Sequence, residues 1–271
     1  MGRFGFSGQT VLNKPNMKNV IITGGTSGIG LGLARAFAAQ GYNLLVNGLE
    51  KNGEEIAAEL AQEHDVRVLF SPANMMQPEQ IREMVQLAEG ELGQVDVLIN
   101  NAGIQHVSPI EDFPEEKWDA ILSVNLSSSF HTSKAVWKGM KERRYGRIIN
   151  IASAHALRAS EFKAAYVAAK HGIAGLTKVL ALEGAPYNIT CNAICPGYVR
   201  TPLVEAQISD QARAHNMTEG EVVEKVMLKK QPVKQFVDVQ ALAQLALYLA
   251  SPVASQLTGA SLPVDGGWSA Q

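Results

Sequence analysis

Short aliphatic and β-branched runs alternate with longer segments of helical periodicity along nearly the whole chain, and this alternation restricts the fold more than any other feature. The runs fall at residues 20–22, 44–46, 66–70, 95–99, 147–151, 189–194 and 261–264. Helical spacing of apolar residues covers 29–39, 54–63, 78–92, 115 to beyond 136, 164–183 and 239–250. A bend is expected in the long fourth helix near Ser127, Ser128 and Ser129. Strands separated by helices build βαβ units and hence a parallel sheet. Right-handed crossovers then place helices on both faces. The expectation is a single α/β domain over residues 1–271, a doubly wound parallel sheet. Residues 1–17 read as an N-terminal extension, and the polar, irregular stretch at about 201–231 reads as a helical lid over a substrate.

Composition removes several function classes. The formal net charge is −2 and no long basic run exists, so nucleic acid has no electrostatic footprint to bind. No stretch approaches the ~18 apolar residues of a membrane-spanning helix. The N-terminal residues lack the apolar core of a secretion signal, so the cytoplasm is the expected location. Cys191 and Cys195 are the two cysteines and sit in or beside the sixth run, where they read as core residues. No set of side chains has the spacing of a metal site, and no metal is expected.

The first run ends in Thr23-Gly24-Gly25-Thr26-Ser27-Gly28-Ile29-Gly30, at the start of a helix. Glycines there allow unusual dihedrals and let a pyrophosphate approach the backbone. The helix N-terminus presents free N–H groups and a favourable dipole. Coming after the first strand of a βαβ series, this is a dinucleotide-binding turn, and the sheet is expected to be Rossmann-like. The pattern Thr-Gly-x-x-x-Gly-Ile-Gly resembles the short-chain dehydrogenase/reductase family. Asn100-Asn101-Ala102-Gly103 after the fourth run matches that family's second signature, and the resemblance implies that Asn101, Ala102 and Gly103 wall the adenosine.

The end of the second strand should face the adenosine ribose, where an acid suits a free 2′-hydroxyl and an arginine a 2′-phosphate. This chain has Gly48-Leu49-Glu50 there. The acid of NAD-dependent relatives is missing at Gly48 and the arginine of NADP-dependent ones at Leu49. Glu50 would repel a phosphate, although Lys51 is close enough in sequence to swing in. NAD is the expected cofactor. Asn74, after the third run, takes the place of an aspartate common in the family and is expected at the adenine edge.

Tyr166 and Lys170 are four apart in a helical segment and so share a face. A free phenol, with a pKa of about 10, is a poor base at neutral pH. A nearby lysine cation favours the phenolate and brings it toward working range. Ser153, just past the fifth run, can hold the substrate oxygen. Asn125 lies within the long fourth helix, where an amide can distort the helix and hold a water on a proton path to Lys170. These four match the family's Asn, Ser, Tyr and Lys in order and spacing. The resemblance covers residues 18–267, and implies hydride transfer between a secondary alcohol and a nicotinamide. It also implies that Pro196 and Gly197 form the nicotinamide-side turn, with Val199 and Thr201 against the carboxamide.

Further polar residues sit beside these motifs: Gln105, His155, Lys163 and, in the lid segment, Gln207, with Trp268 near the C-terminus. Each alone has an ordinary reading as a surface, core or packing residue. Together they supply donors, one of them charged, to one end of a small pocket, which suits a carboxylate. The wording around them is similar to family members acting on D-3-hydroxybutyrate and acetoacetate. Three other readings stay open: an NADPH-dependent reductase of 3-oxoacyl thioesters, an enzyme for another small hydroxy acid, and a non-catalytic dinucleotide sensor. Family resemblance implies a homotetramer. The apolar set Ala165, Ala169, Ile173 and Leu176 permits either core packing or an interface.

Overall fold

In the first strand, Val20 and Ile22 join one apolar cluster while Ile21 joins another. Side chains alternate across a strand, so a run that is apolar at every position must be covered on both faces. The same division separates Leu44 and Val46 from Leu45, and Val97 and Ile99 from Leu98. The computed structural model describes residues 17–202 and 216–271, with 204, 205, 208, 209 and 212 between them. Residues 1–16 of the expected N-terminal extension therefore lie outside the described residues.

The strands are β1 (Asn19–Ile22), β2 (Asn43–Asn47), β3 (Val68–Ser71), β4 (Val97–Asn100), β5 (Gly146–Ile151), β6 (Ile189–Pro196) and β7 (Ser261–Val264). They form one parallel sheet in the order β3-β2-β1-β4-β5-β6-β7. The order reverses direction between β1 and β4, which makes that gap the topological switch point. One face is covered by α1 (Gly28–Ala39), α2 (Gly53–His64) and the late helix Val239–Ala250. The other is covered by α3 (Pro78–Leu92), α5 (Ser128–Arg143) and α6 (Ala164–Gly184). Cys191 and Cys195 are buried and free in β6.

The expected strands and helices form within a few residues of their predicted limits. Strands β3 and β4 start two residues late, at Val68 and Val97, because those are the first residues with partners in β2 and β1. The long fourth helix is divided: α4 (Glu115–Leu122) enters a π-helical turn at Ser123–Ser127 and then becomes α5. The Ser128 hydroxyl donates to the Val124 carbonyl and Thr132 to that of Ser128, back-bonds that favour bending. Such turns recur at functional sites, and this one carries Asn125. Ala165, Ala169 and Ile173 of α6 are buried in the chain's own core, so that face is not free for a partner.

Within 201–231, the described residues include the helix Glu219–Val222, capped by Thr218 and Glu221 in a reciprocal box. A π-turn at Val223–Met227 follows. Val204, Ile208, Val222 and Met227 bury against one another in a small separate cluster. The loops after all seven strands emerge at one end of the sheet, and the glycine turn meets the 101–105 segment over the switch point.

Phe37 is fully buried where α1 meets the sheet. Phe37→Ala is expected to lower unfolding free energy by about 3–5 kcal/mol, since removing a buried ring leaves a cavity. A shift in denaturant midpoint at constant slope measures it; a loss below 1 kcal/mol would contradict this account of the core.

Candidate active site

Thr23 closes β1 and is buried. Its hydroxyl accepts from the backbone N–H groups of Asn101 (3.0 Å) and Ala102 (3.1 Å). The Asn101 side chain answers by donating to the carbonyls of Thr23 and Gly24. The glycine turn and the 101–103 wall are thus one rigid piece. Gly24 and Gly28 have φ of +60° and +52°, which a side chain would strain. A Cβ on Gly30 would overlap the Gly24 carbonyl oxygen and crowd Asn101 Nδ2.

These segments line a cavity of about 500 Å³ that runs from the ends of β2 and β3, past the glycine turn, to the ends of β5, β6 and β7. Gly24, Ser27, Gly28, Ile29, Leu49, Asn74, Asn101, Ala102 and Gly103 line the half of it beside the glycine turn and the ends of β2 and β3. Ser153, Tyr166, Lys170, Pro196, Gly197, Val199, Thr201, Gln105, His155, Lys163 and Trp268 line the rest.

Three expected residues, Thr26, Gly30 and Asn125, are placed differently. Thr26 is buried beneath the turn and bonded to the Glu50 carboxylate. Gly30 packs against the Gly24 backbone and supports the turn from behind. The Asn125 amide does not extend toward Lys170: its Oδ1 accepts from Ile104 N (2.8 Å) and its Nδ2 donates to Ile104 O (2.9 Å). The amide spends its bonds fastening the 101–105 wall to the π-turn. Gln207 lies outside the described residues.

The reacting end is buried and short of partners. Lys170 Nζ donates to the Ile151 carbonyl at 2.8 Å and sits 5.6 Å from the Tyr166 ring centroid. An ammonium has three donors, so two face the cavity without a protein partner among the described residues. Burial pulls Lys170 down to about 8. Burial also pushes the Tyr166 phenol up to about 12, with a hydrogen bond from Ser153 acting the other way. Desolvation, not the lysine charge, therefore dominates the phenol in the protein by itself.

His155 packs edge-on against Tyr166 (5.8 Å) and Trp268 (5.0 Å). Its Nδ1 lies 3.2 Å from Ser153 Oγ, which also accepts from the His155 backbone N–H. Burial, reinforced by the Lys163 charge, pulls the imidazole down to about 3, so it is neutral at ordinary pH. His155 Nε2 is buried without a hydrogen-bond partner among the described residues, as is Nε2 of Gln105. Lys163 is buried too, and burial together with the Lys230 charge pulls it down to about 8.

Two contributors, Tyr198 and Ile104, were not picked out in the sequence, and a third, Glu50, was singled out there only for its charge. Glu50 reaches back over the glycine turn, accepting from Thr26 and, at 2.8 Å, from Ser27. Burial raises its pKa, but those bonds and two backbone N–H groups outweigh it and leave the carboxyl below the ordinary range. A Cβ on Gly48 would overlap Thr26 Oγ1 and crowd this carboxylate. The glycine is therefore what admits Glu50. Tyr198 lines the cavity between the expected Gly197 and Val199, and Ile104 supplies the backbone that Asn125 holds.

The sequence matches the short chain dehydrogenase family over residues 18–212. It is 54% identical over 256 residues to the D-beta-hydroxybutyrate dehydrogenase of Rhizobium meliloti (strain 1021), covering 94% of this chain and 99% of that protein. The protein of the same description from Cupriavidus necator is 49% identical over 257 residues, with coverage of 94% and 99%. Among solved structures, an actinorhodin polyketide ketoreductase with NADPH superposes with a TM-score of 0.89 at 32% identity, over 94% of this chain and 98% of that one. Levodione reductase superposes with a TM-score of 0.87 at 32% identity, over 93% and 98%.

Gly30→Ala is expected to weaken binding of a nicotinamide dinucleotide about tenfold or more, because relieving the overlap costs about 1–3 kcal/mol of distortion in the turn. Titration by NADH fluorescence measures it, and unchanged affinity would mean that the turn does not hold the dinucleotide.

Proposed function

We propose, for a chain that belongs to the short-chain dehydrogenase family, that it catalyses the reversible oxidation of D-3-hydroxybutyrate to acetoacetate with NAD. The observation that carries the substrate is the set of buried polar groups around the reacting end: Gln105 Nε2 and His155 Nε2, which have no hydrogen-bond partner among the described residues, and the Lys163 ammonium, which has no carboxylate partner among them and donates only to the Tyr198 hydroxyl. A buried donor without an acceptor costs about 1–3 kcal/mol; a carboxylate removes that cost for Gln105 and, with the ring proton on Nε2, for His155, and it gives the Lys163 ammonium a counter-charge. The uncharged chain of a 3-oxoacyl thioester removes it for none of them as strongly. The relatives named above support the same choice.

The dinucleotide fits the residues present: the positive-φ glycines leave room for its phosphates, and the free donors of Lys170 match ribose hydroxyls. When bound, NAD provides the acceptor for the hydride leaving the alcohol carbon. Ser153 orients the substrate oxygen, and Tyr166 as phenolate takes the alcohol proton; as phenol it returns that proton in the reduction. Lys170 favours the phenolate. Asn125 acts by positioning the 104–105 segment, and hence Gln105. NAD is preferred to NADP because the Glu50 carboxylate stands at the end of β2, where a 2′-phosphate would meet a like charge. Asn74 keeps its side-chain N–H₂ for the adenine edge while its Oδ1 accepts from Met76 N.

Residues 201–231, with Gln207 among them, are assigned to a lid that excludes water from the carboxylate end. Both ligands are water-soluble, which suits a cytoplasmic enzyme. A homotetramer is assigned through α4, α5 and α6, where Trp118, Phe130, Val179 and Leu182 are exposed. Among the described residues, no helix is long and apolar enough to cross a membrane.

NADH absorbance with each enantiomer tests the reaction: D-3-hydroxybutyrate is expected to be oxidised and the L form hardly at all, and no turnover of either by folded, NADH-binding protein would sink the substrate assignment. Lys163→Ala should raise the hydroxybutyrate KM by about tenfold or more while leaving the KM for NAD nearly unchanged, since charge-assisted bonds are worth about 1.5–3 kcal/mol. Equal weakening toward both ligands counts against its role. The pH dependence should split. Oxidation requires ionised Tyr166, whose pKa is raised, so kcat climbs with pH; the hydroxybutyrate KM climbs above about pH 8, as Lys163 loses its proton. A KM that is flat from pH 7 to 10 contradicts the charge assignment. Glu50→Gln should shift the NADP-to-NAD ratio of kcat/KM toward NADP on the order of tenfold, as removing one like charge at close range allows.

A further inference from the structure

Lys163 presents a physical problem that the carboxylate solves only when substrate is present. It is buried, it stands at the N-terminal end of α6 where the helix dipole disfavours a cation, and among the described residues it has no carboxylate partner. Among the described residues its Nζ has one hydrogen bond, to the Tyr198 hydroxyl oxygen at 3.3 Å, and Nζ also lies 5.3 Å from the Tyr198 ring centroid. Tyr198 is itself held: its ring stacks on Trp268 with centroids 6.0 Å apart and planes 5° from parallel. Trp268 then meets His155 edge-on. A continuous set of contacts thus runs from Lys163 through Tyr198 and Trp268 to His155, beside Ser153.

A phenol oxygen has one hydrogen and acceptor lone pairs. Because Tyr198 accepts from Lys163, its own O–H is directed elsewhere, and it has no protein acceptor among the described residues. We propose that Tyr198 is a positioning and specificity residue: its oxygen holds Lys163 Nζ at the carboxylate end of the pocket, and its O–H donates to the same carboxylate. This rests on the hydroxy-acid reading above and deepens it. The phenol is suited to the task because burial keeps it neutral, and a neutral O–H donates where a phenolate would repel the carboxylate. Phenylalanine at this position keeps the stack on Trp268 and loses both bonds, so the two contributions of the residue are separable.

Tyr198→Phe is the decisive variant. The KM for D-3-hydroxybutyrate should rise about tenfold, as loss of a bond to a charged group implies, with the effect on KM rather than on kcat. The KM for 4-hydroxypentan-2-one, in which an acetyl group replaces the carboxylate, should change less than twofold. Calorimetric titration of butyrate into the NADH-loaded protein should show the same tenfold loss without any turnover. A hydroxybutyrate KM within twofold of the unmodified protein, or equal losses for the charged and neutral substrates, overturns the proposal and leaves Tyr198 as packing. The two readings fail separately. If neither hydroxybutyrate enantiomer is oxidised but butyrate still binds and Tyr198→Phe still weakens it, the substrate assignment falls and the carboxylate-holding role of Tyr198 stands. Failure of the unmodified protein to bind butyrate overturns both.

Discussion

The hydrogen bonds between Thr23 and the Asn101-Ala102 segment are the constraint on which the site depends. In a doubly wound sheet the loops after the two strands at the switch point diverge, and nothing in the strand ladder keeps them at a set distance. Here the Thr23 hydroxyl and the Asn101 amide close that gap from both sides. Behind them, Asn100 donates to Asn150 and accepts from Thr132, and Asn150 donates to Thr177, so β4, β5, α5 and α6 are tied by buried polar contacts. Buried networks of this kind are costly unless complete, and this one is complete enough to fix one arrangement. The glycine turn, the 101–103 segment and the Ser153 loop inherit their relative positions from it.

At the reacting end the logic is reversed. Lys163, Lys170 and His155 are all shifted toward their neutral forms by burial, and His155 Nε2 and Gln105 Nε2 have no hydrogen-bond partners among the described residues. A core that only had to be stable would not hold these groups unmatched. Their cost is recovered when ligands supply acceptors, which couples binding to the electrostatics of the site. The raised Tyr166 pKa follows the same rule: the pocket that excludes water for hydride transfer also disfavours the phenolate, and charges that arrive with the cofactor must work against it.

How much of this was legible beforehand differs by residue. Strand and helix positions followed from periodicity, because a parallel sheet covered on both faces demands apolar runs and its crossovers demand amphipathic helices. The bend in the fourth helix was signalled by three consecutive serines, yet the π-turn lies slightly earlier, where Asn125 is drawn to Ile104. Asn125 looked like a group aimed at Lys170; a side-chain amide goes to the nearest unpaired backbone, and only the folded chain reveals which backbone that is. Glu50 was noticed for its charge but not as part of the cofactor site, because the expected acid position is occupied by Gly48. That glycine makes sense only when Thr26 and Glu50 are seen filling the space its side chain would take.

By itself the sequence determined the order of strands and helices, the dinucleotide turn, the Ser153-Tyr166-Lys170 constellation and the set of donors suited to a carboxylate. The first two depend on spacing within one segment; the last two rested on the resemblance to the short-chain family, since each of those residues alone has an ordinary reading. The tertiary structure alone decided which groups are satisfied by the protein and which are left for a ligand. Thr26 and Gly30 turned inward, Asn125 was taken up by Ile104, and Tyr198 was brought to Lys163 from 35 residues away. Hydrogen bonding and desolvation act through space over a few ångströms, so a linear pattern can name the candidates but not their partners.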